Sequence, residues 1–509
     1  MPNSKSLVLT AFICFASFLN ATPTCPNWLQ DPSVPLCPAS SNMLPETFPA
    51  IAHVVSTRSI HETRDGEDGI DFAVSYLEAL MKTSNQRVPL TFLPVPKEAF
   101  DAVKKRLSRS DSVDKALRDQ WVNNLVYVPI STSVSGSDYI TYQQDYIKGF
   151  QSPDSQKTQL RHLKDRPSAG VLGPQLVKLA AKLCPDLFDE GTPIGVPRSA
   201  EEGPIDLPPD FGENLSPNYG GNILGMPHGL CLRGANQSTE VARQYCTPRN
   251  EVPVDVNWLW VGHVDEVFAT VPHPNAKAPC DFAVVRASPK RALTIMREQS
   301  KEPFITFPEG TSPETQKQRM ESTPFQRICA WNLERSKRSN DDTHNEASTT
   351  SRRPEATPCH LMTNGQALSV IENDSQAMEY LNAVEKKMSE ETRVLLNAYQ
   401  KRMKCQPKVI EAPALFYGGP LVKGELPAEM GKSFFPNSAN LVPIENNVLS
   451  SDPHHRGFRD WMSKSFRELG LNEGKTDQEV FLDTFDQGHV GNGNLHCLTQ
   501  TFRGCRRQK

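Results

Sequence analysis

The chain lacks any stretch that is apolar for long enough to cross a bilayer. Its longest predominantly apolar run, Leu7–Leu19, falls short of the ~20 residues a span requires. It also lacks an excess of either charge: 55 Lys and Arg against 59 Asp and Glu leave a formal net charge of −4, which argues against a nucleic-acid or membrane-surface role. Glycine is scarce beside proline, 29 against 42, and this balance predicts rigid, loop-rich connections rather than long uninterrupted helices. No Cys-x-x-Cys and no His/Cys ligand spacing occurs, so nothing in the cysteine pattern suggests zinc. What remains, at 38% hydrophobic and 22% charged over 509 residues, is the composition of a globular protein with enough chain for a large core.

Residues 1–22 have the form of a secretory signal, with Lys5 in a short basic segment, the apolar run, and small residues at Asn20-Ala21-Thr22. A secreted protein is the expectation, and Asn214-Leu215-Ser216, Asn236-Gln237-Ser238 and Asn373-Asp374-Ser375 fit the N-glycosylation pattern. Of the 12 cysteines, Cys14 leaves with the signal and 11 stay. An odd number leaves at least one thiol unpaired in a monomer, and the others are expected to form disulfides. Cys25 with Cys37 and Cys231 with Cys246 are the plausible local loops.

A Pro- and Cys-rich arm (23–45) precedes an α/β pattern. Strands are predicted over Ala52–Thr57, Val88–Leu93, Leu125–Ile130 and Phe282–Arg286, and a strand-like segment over Trp258–Val261. Helices are predicted over Ile70–Met81, Lys97–Arg109, Asp111–Asn124, Pro289–Glu298, Ala377–Arg402 and Gly457–Leu469. Such alternation favours α/β architecture, and no repeat is visible in the letters. Gly191–Tyr219 reads as a long surface excursion or active-site loop, and the polar stretch 336–358 as a disordered insertion.

Three separated segments carry chemistry. Gln144-Asp145 follows a predicted strand, with Tyr142 just before it; in Gly262-His263-Val264-Asp265, strand alternation would put His263 and Asp265 on one face; and His496-Cys497 lies in a glycine-rich loop near the C-terminus. A thiol, an imidazole and two carboxylates suit a planar cation such as guanidinium, which binds oxygen acceptors in a fork. The same carboxylates would oppose an oxyanion, so a papain-type protease fits less well. Each residue also has a plainer reading: Cys497 in a disulfide with Cys505, His263 as a structural histidine, Asp145 in a turn and Asp265 in solvent. His496 would point away from Cys497 in an extended segment.

From about Ile51 to Arg503 the chain resembles the catalytic domain of the protein-arginine deiminases. Val261-Gly262-His263-Val264-Asp265-Glu266 is similar to that family's histidine and second-aspartate signature, Asn494-Leu495-His496-Cys497 to its nucleophile run, and Gln144-Asp145 to its first aspartate. Phe307-Pro308-Glu309-Gly310, Cys329-Ala330-Trp331-Asn332, Leu415-Phe416 and Phe434-Phe435-Pro436-Asn437 follow in family order. The resemblance implies a five-bladed pseudo-symmetric α/β propeller, the pentein fold, with loop insertions, over a catalytic domain spanning 46–506. It implies Cys497 as nucleophile, His263 as acid and then base, Asp145 and Asp265 as holders of the guanidinium, and Tyr142 as an aromatic wall where the family has tryptophan. Arginine-containing proteins or peptides would be the substrates, with free arginine or another small guanidino compound, or an inactive arginine-binding scaffold, as alternatives.

The chain also departs from the family. After Asp145 the acidic calcium ligands are replaced by Tyr146, Ile147 and Lys148, and in Gly220-Gly221-Asn222-Ile223-Leu224 a leucine stands where the family has glutamate. Apolar and cationic groups cannot replace hard oxygen ligands, so activity without calcium or another cofactor is the expectation. Arginines that contact the substrate backbone in the family have no clear counterpart, and Gly491 stands where one precedes the nucleophile.

Overall fold

The computed structural model describes residues 23–32, 34–37, 43–55, 67–84, 87–129, 147–151, 157–162, 169–195, 219–320, 361–428, 430–489 and 493–506. The signal-like segment, the 336–358 stretch, Cys329, Cys359, Tyr142 and Asp145 lie outside the described residues, as does most of the 191–219 excursion.

Among the described residues, five sheets repeat one plan that the letters do not reveal. In each, a first strand runs antiparallel to a second, and the second runs parallel to a third. The triplets are Thr499–Arg503, Ala50–Val55 and Leu90–Val95; Ile147–Gln151, Thr158–His162 and Phe188–Glu190; Ile223–Gly225, Cys231–Gly234 and Glu251–Val254; Phe268–Pro272, Phe282–Ser288 and Lys408–Pro413; and Val442–Ile444, Asn447–Ser451 and Phe481–Leu482. A parallel neighbour cannot be reached by a tight turn, and each second strand is joined to its third through at least one helix. Leu90–Val95 and Phe282–Ser288 are buried along their whole length, as strands covered on both faces require. In the first sheet the C-terminal strand pairs with the N-terminal one, so the segment carrying Cys497 is anchored by both ends of the fold.

Helix boundaries follow local chemistry. Pro289–Glu298 begins where Ser288 accepts from Arg291 N and proline supplies the first helical φ. Ser375–Met403 is capped by Asp374 and ends at Lys404 in the left-handed region. Its buried stripe of Tyr380, Leu381, Val384, Met388, Leu395 and Tyr399 keeps helical spacing, and at 29 residues it corrects the expectation that abundant proline would exclude long helices. No described helix is long and apolar enough to cross a membrane.

The disulfides also differ from expectation. Cys231–Cys246 forms, whereas Cys25 pairs with Cys184 and Cys37 with Cys505; a fourth bridge joins Cys280 to Cys405. The N-terminal arm is therefore tied to distant strands and helices rather than closed upon itself.

Candidate active site

Cys497 sits in a one-turn helix, Leu495–Leu498, that leads straight into the C-terminal strand. The turn is held from outside: Leu495 N donates to Ser451 Oγ at 3.0 Å, Asn494 Oδ1 accepts from Asn437 N at 3.1 Å, and Thr499 Oγ1 donates to Leu495 O at 3.0 Å. Asn440, fully buried, knots the centre. Its Oδ1 accepts from His496 N at 2.7 Å and Cys497 N at 3.3 Å, and its Nδ2 donates to Asp265 O at 2.8 Å and to Cys497 Sγ at 3.2 Å. Among the described cysteines Cys497 is the free one, and Cys505, its candidate partner in the sequence, is bonded to Cys37. Burial pushes its thiol well above the ordinary range, and the Asp265 and Glu266 charges push the same way against hydrogen bonds from Asn494 and Asn440. A thiol so placed ionises readily only when a cation joins it.

The Trp258–Val261 segment is not a strand. Leu259 makes one isolated bridge to Gly431, and Gly262 then takes φ +76°, a conformation open to glycine, which turns the chain into a 3₁₀ turn over Val264–Glu266. Strand alternation therefore does not relate His263 to Asp265. The turn brings them together by another route: a Cβ on Gly221 would run into His263 Nδ1 and lie 3.2 Å from Asp265 Oδ2. His263 N donates to Glu266 Oε1 at 2.9 Å. The loop is braced by Asn222, whose Oδ1 accepts from Val264 N at 3.2 Å and whose Nδ2 donates to Asn236 Oδ1 at 2.8 Å, and by Asn236 Nδ2, which donates to Gly262 O at 3.1 Å. Asn373, the third glycosylation triplet's asparagine, is exposed.

Asp265 is the hub. Its Oδ2 accepts from His496 Nδ1 at 2.9 Å and lies 3.6 Å from Cys497 Sγ, while its Oδ1, also buried, has no hydrogen-bond partner among the described residues. An orphaned buried carboxylate oxygen is costly unless a ligand completes it, and a guanidinium N–H has the right charge and geometry. His496 thus turns inward rather than away, because the segment is helical and not extended. Its far nitrogen, Nε2, lies 3.9 Å from Glu46 Oε1, an ion-pair distance too long for a hydrogen bond. Glu46 Oε2 accepts from Arg503 Nη2 at 3.0 Å. Burial raises the Glu46 carboxyl, but His496, Arg503 and Lys148 outweigh it and bring it to about 2.

The structure therefore gathers His263, Asp265, His496 and Cys497, and the two remaining expected residues, Asp145 and Tyr142, lie outside the described residues. Sequence reasoning missed Asn440 and Glu46. The run Asn437-Ser438-Ala439-Asn440, separated from an aromatic pair by Pro436, was a usable signal for the first; Glu46 had none. Of the positions where the sequence diverges from the family's calcium ligands, Leu224 and Lys148 are each 2% exposed, one presenting hydrocarbon and the other a cation.

Solved structures with similar folds include an agmatine deiminase of C. jejuni, 13% identical with a TM-score of 0.43 over 92% of this chain and 98% of that one. Another is an agmatine deiminase of Enterococcus faecalis, 11% identical with a TM-score of 0.44 over 91% and 96%. The sequence also matches the family described as protein-arginine deiminase (PAD) over residues 223–509. That match takes in His263, Asp265, Asn440, His496 and Cys497 and more than half of the chain, which belongs to the protein-arginine deiminase family.

Proposed function

We propose that this protein hydrolyses the guanidinium of arginine residues in proteins or peptides, giving citrulline and ammonia. The observation that carries the reading is the buried, disulfide-free Cys497 beside Asp265, whose second carboxylate oxygen has no hydrogen-bond partner among the described residues. In the proposed reaction the guanidinium binds with its N–H groups on Asp265 and Asp145, and its charge favours the Cys497 thiolate. The thiolate attacks the guanidinium carbon, and a C–N bond breaks as His263 gives its proton to the departing ammonia. His263 then removes a proton from water, which attacks the thiouronium carbon and expels the thiolate, leaving the urea of citrulline. The family match supports the guanidine chemistry.

Several further features belong to the same proposal. Tyr142 would wall the substrate's alkyl chain. The five repeats of one strand plan favour a five-bladed propeller built around a single catalytic domain. The four disulfides among the described residues favour an oxidising compartment, in keeping with a cleaved signal and secretion. Buried Leu224 and Lys148 favour turnover without calcium.

The test is mass spectrometry of peptides with internal and terminal arginines, and of free arginine, with and without chelator. Peptide citrulline that survives chelation and disappears in Cys497→Ala is the expected result. Turnover retained in Cys497→Ala would sink the mechanism, and conversion of free arginine alone would move the substrate to a small molecule.

A further inference from the structure

The deiminase reading gives His496 no task, yet the residue beside the nucleophile is 4% exposed and has a carboxylate at each ring nitrogen. A neutral imidazole would turn a lone pair toward one of those carboxylates, so the geometry calls for both nitrogens to carry protons. Further charges ring the pair: Arg503 bonds Glu46, and Lys148 acts on Glu46. His53 and Tyr76, also buried, feel the Arg503 charge, and Glu266 acts on the Cys497 side.

We propose that His496 is a positioning residue, clamped between Glu46 and Asp265, that holds the Asp265 carboxylate with its open oxygen toward the substrate guanidinium and offsets its negative charge beside Cys497. His496 Nδ1 and Cys497 Sγ both lie within 3.6 Å of the same oxygen, Asp265 Oδ2. Without a cation there, Asp265 would oppose ionisation of the thiol; with one, the aspartate keeps its charge for the substrate and the thiol meets a balanced field. Burial pulls the His496 imidazole down, yet the hydrogen bond to Asp265 and the charges of Asp265 and Glu46 raise it above the ordinary histidine value. Glu46 comes from the segment that follows the N-terminal arm, so the site is completed from the opposite end of the sequence.

The proposal rests on the deiminase reading only in naming guanidinium as the ligand, and its test requires no turnover. The full chain is treated with iodoacetamide across a pH series, and alkylation of Cys497 is followed by mass spectrometry in the wild type, His496→Asn and Glu46→Gln. The asparagine amide leaves a donor near Asp265 but carries no charge. The alkylation midpoint is expected to rise by about one pH unit in either variant, about tenfold slower alkylation at a fixed pH below it. Removing the Glu46 anion would by itself lower the midpoint, so the two effects have opposite signs.

Methylguanidinium is the second probe: its protection of Cys497 against alkylation should weaken about tenfold in His496→Asn, as expected when one charge-assisted contact loses its geometry. A midpoint that falls or stays fixed in Glu46→Gln, or undiminished protection in a folded His496→Asn, overturns the proposal. If His496→Asn does not fold, the Glu46→Gln midpoint decides alone. Failure of the deiminase reading would look different, with wild-type protein making no citrulline while the alkylation profiles still respond.

Discussion

Asn440 spends every polar atom of its side chain on the site, and that arrangement sets the cost of losing it. Replacing it with alanine leaves the backbone N–H groups of His496 and Cys497 and the carbonyl of Asp265 without their partner in a buried region. A buried polar group left in that state costs about 1–3 kcal/mol, so Asn440→Ala should lower unfolding free energy by at least that much. It should also lower kcat more than it changes KM, because the carboxylate and the thiol lose their common brace rather than their substrate contacts. Urea unfolding and steady-state kinetics check the two halves; a variant of unchanged stability would mean that the knot carries no weight. The same residue shows what a sequence can hide. Asn440 lies 57 positions before Cys497 and 175 beyond Asp265, and its role exists only through contacts at those separations.

The loop Gly262–Glu266 makes the corresponding point for elements. The apolar run from Trp258 to Val261 favours a strand, but Leu259 N donates to Val256 O in a turn and Gly262 then takes φ +76°, so no strand forms. His263 and Asp265 therefore sit on a 3₁₀ turn and its cap, not on one face of a strand. Where the local signal was self-contained, as in Ser288 followed by Pro289, the predicted helix matches its observed bounds of Pro289–Glu298. The disulfides Cys25–Cys184 and Cys37–Cys505 fell beyond reach because nearness in sequence says little about which cysteines a folded chain brings together. Gly221 tests the loop's support directly. In Gly221→Ala the new methyl group would occupy the space of the His263 ring, so the ring must shift or the loop must move. Overpacking of this kind costs about 1–3 kcal/mol. The variant is expected to fold, retain Cys497 alkylation and lose most turnover; full activity would show that His263 is not held there for catalysis.

At the scale of the whole molecule, buried histidines outside the site govern the response to acid. His53, His455 and His489 are each brought to about 3, chiefly by burial, with His489 Nε2 facing Phe434 O at 3.2 Å and His455 Nε2 facing Asn364 Oδ1 at 2.9 Å. Below an unfolded value near 6.5 the unfolded chain takes up these three protons and the folded chain does not, so stability falls with pH from there toward 3. Three protons correspond to a slope of at most about 4 kcal/mol per pH unit. Against a typical native stability of roughly 5–15 kcal/mol, that slope would unfold the protein well before the histidines themselves charge. Glu46 adds to the loss with the same sign, since its carboxylate is lowered to about 2 and its contribution fades between the unfolded value of 4.5 and that limit. His496 acts oppositely: its raised value stabilises the fold below the unfolded histidine value, and that contribution is lost as pH rises through the folded one. Urea midpoints measured in steps from pH 7 to pH 5 should therefore decline steadily. His489→Asn, which removes one of the titrating groups, should flatten the decline. A constant midpoint across that range would mean that the buried histidines open to solvent and titrate in the folded state.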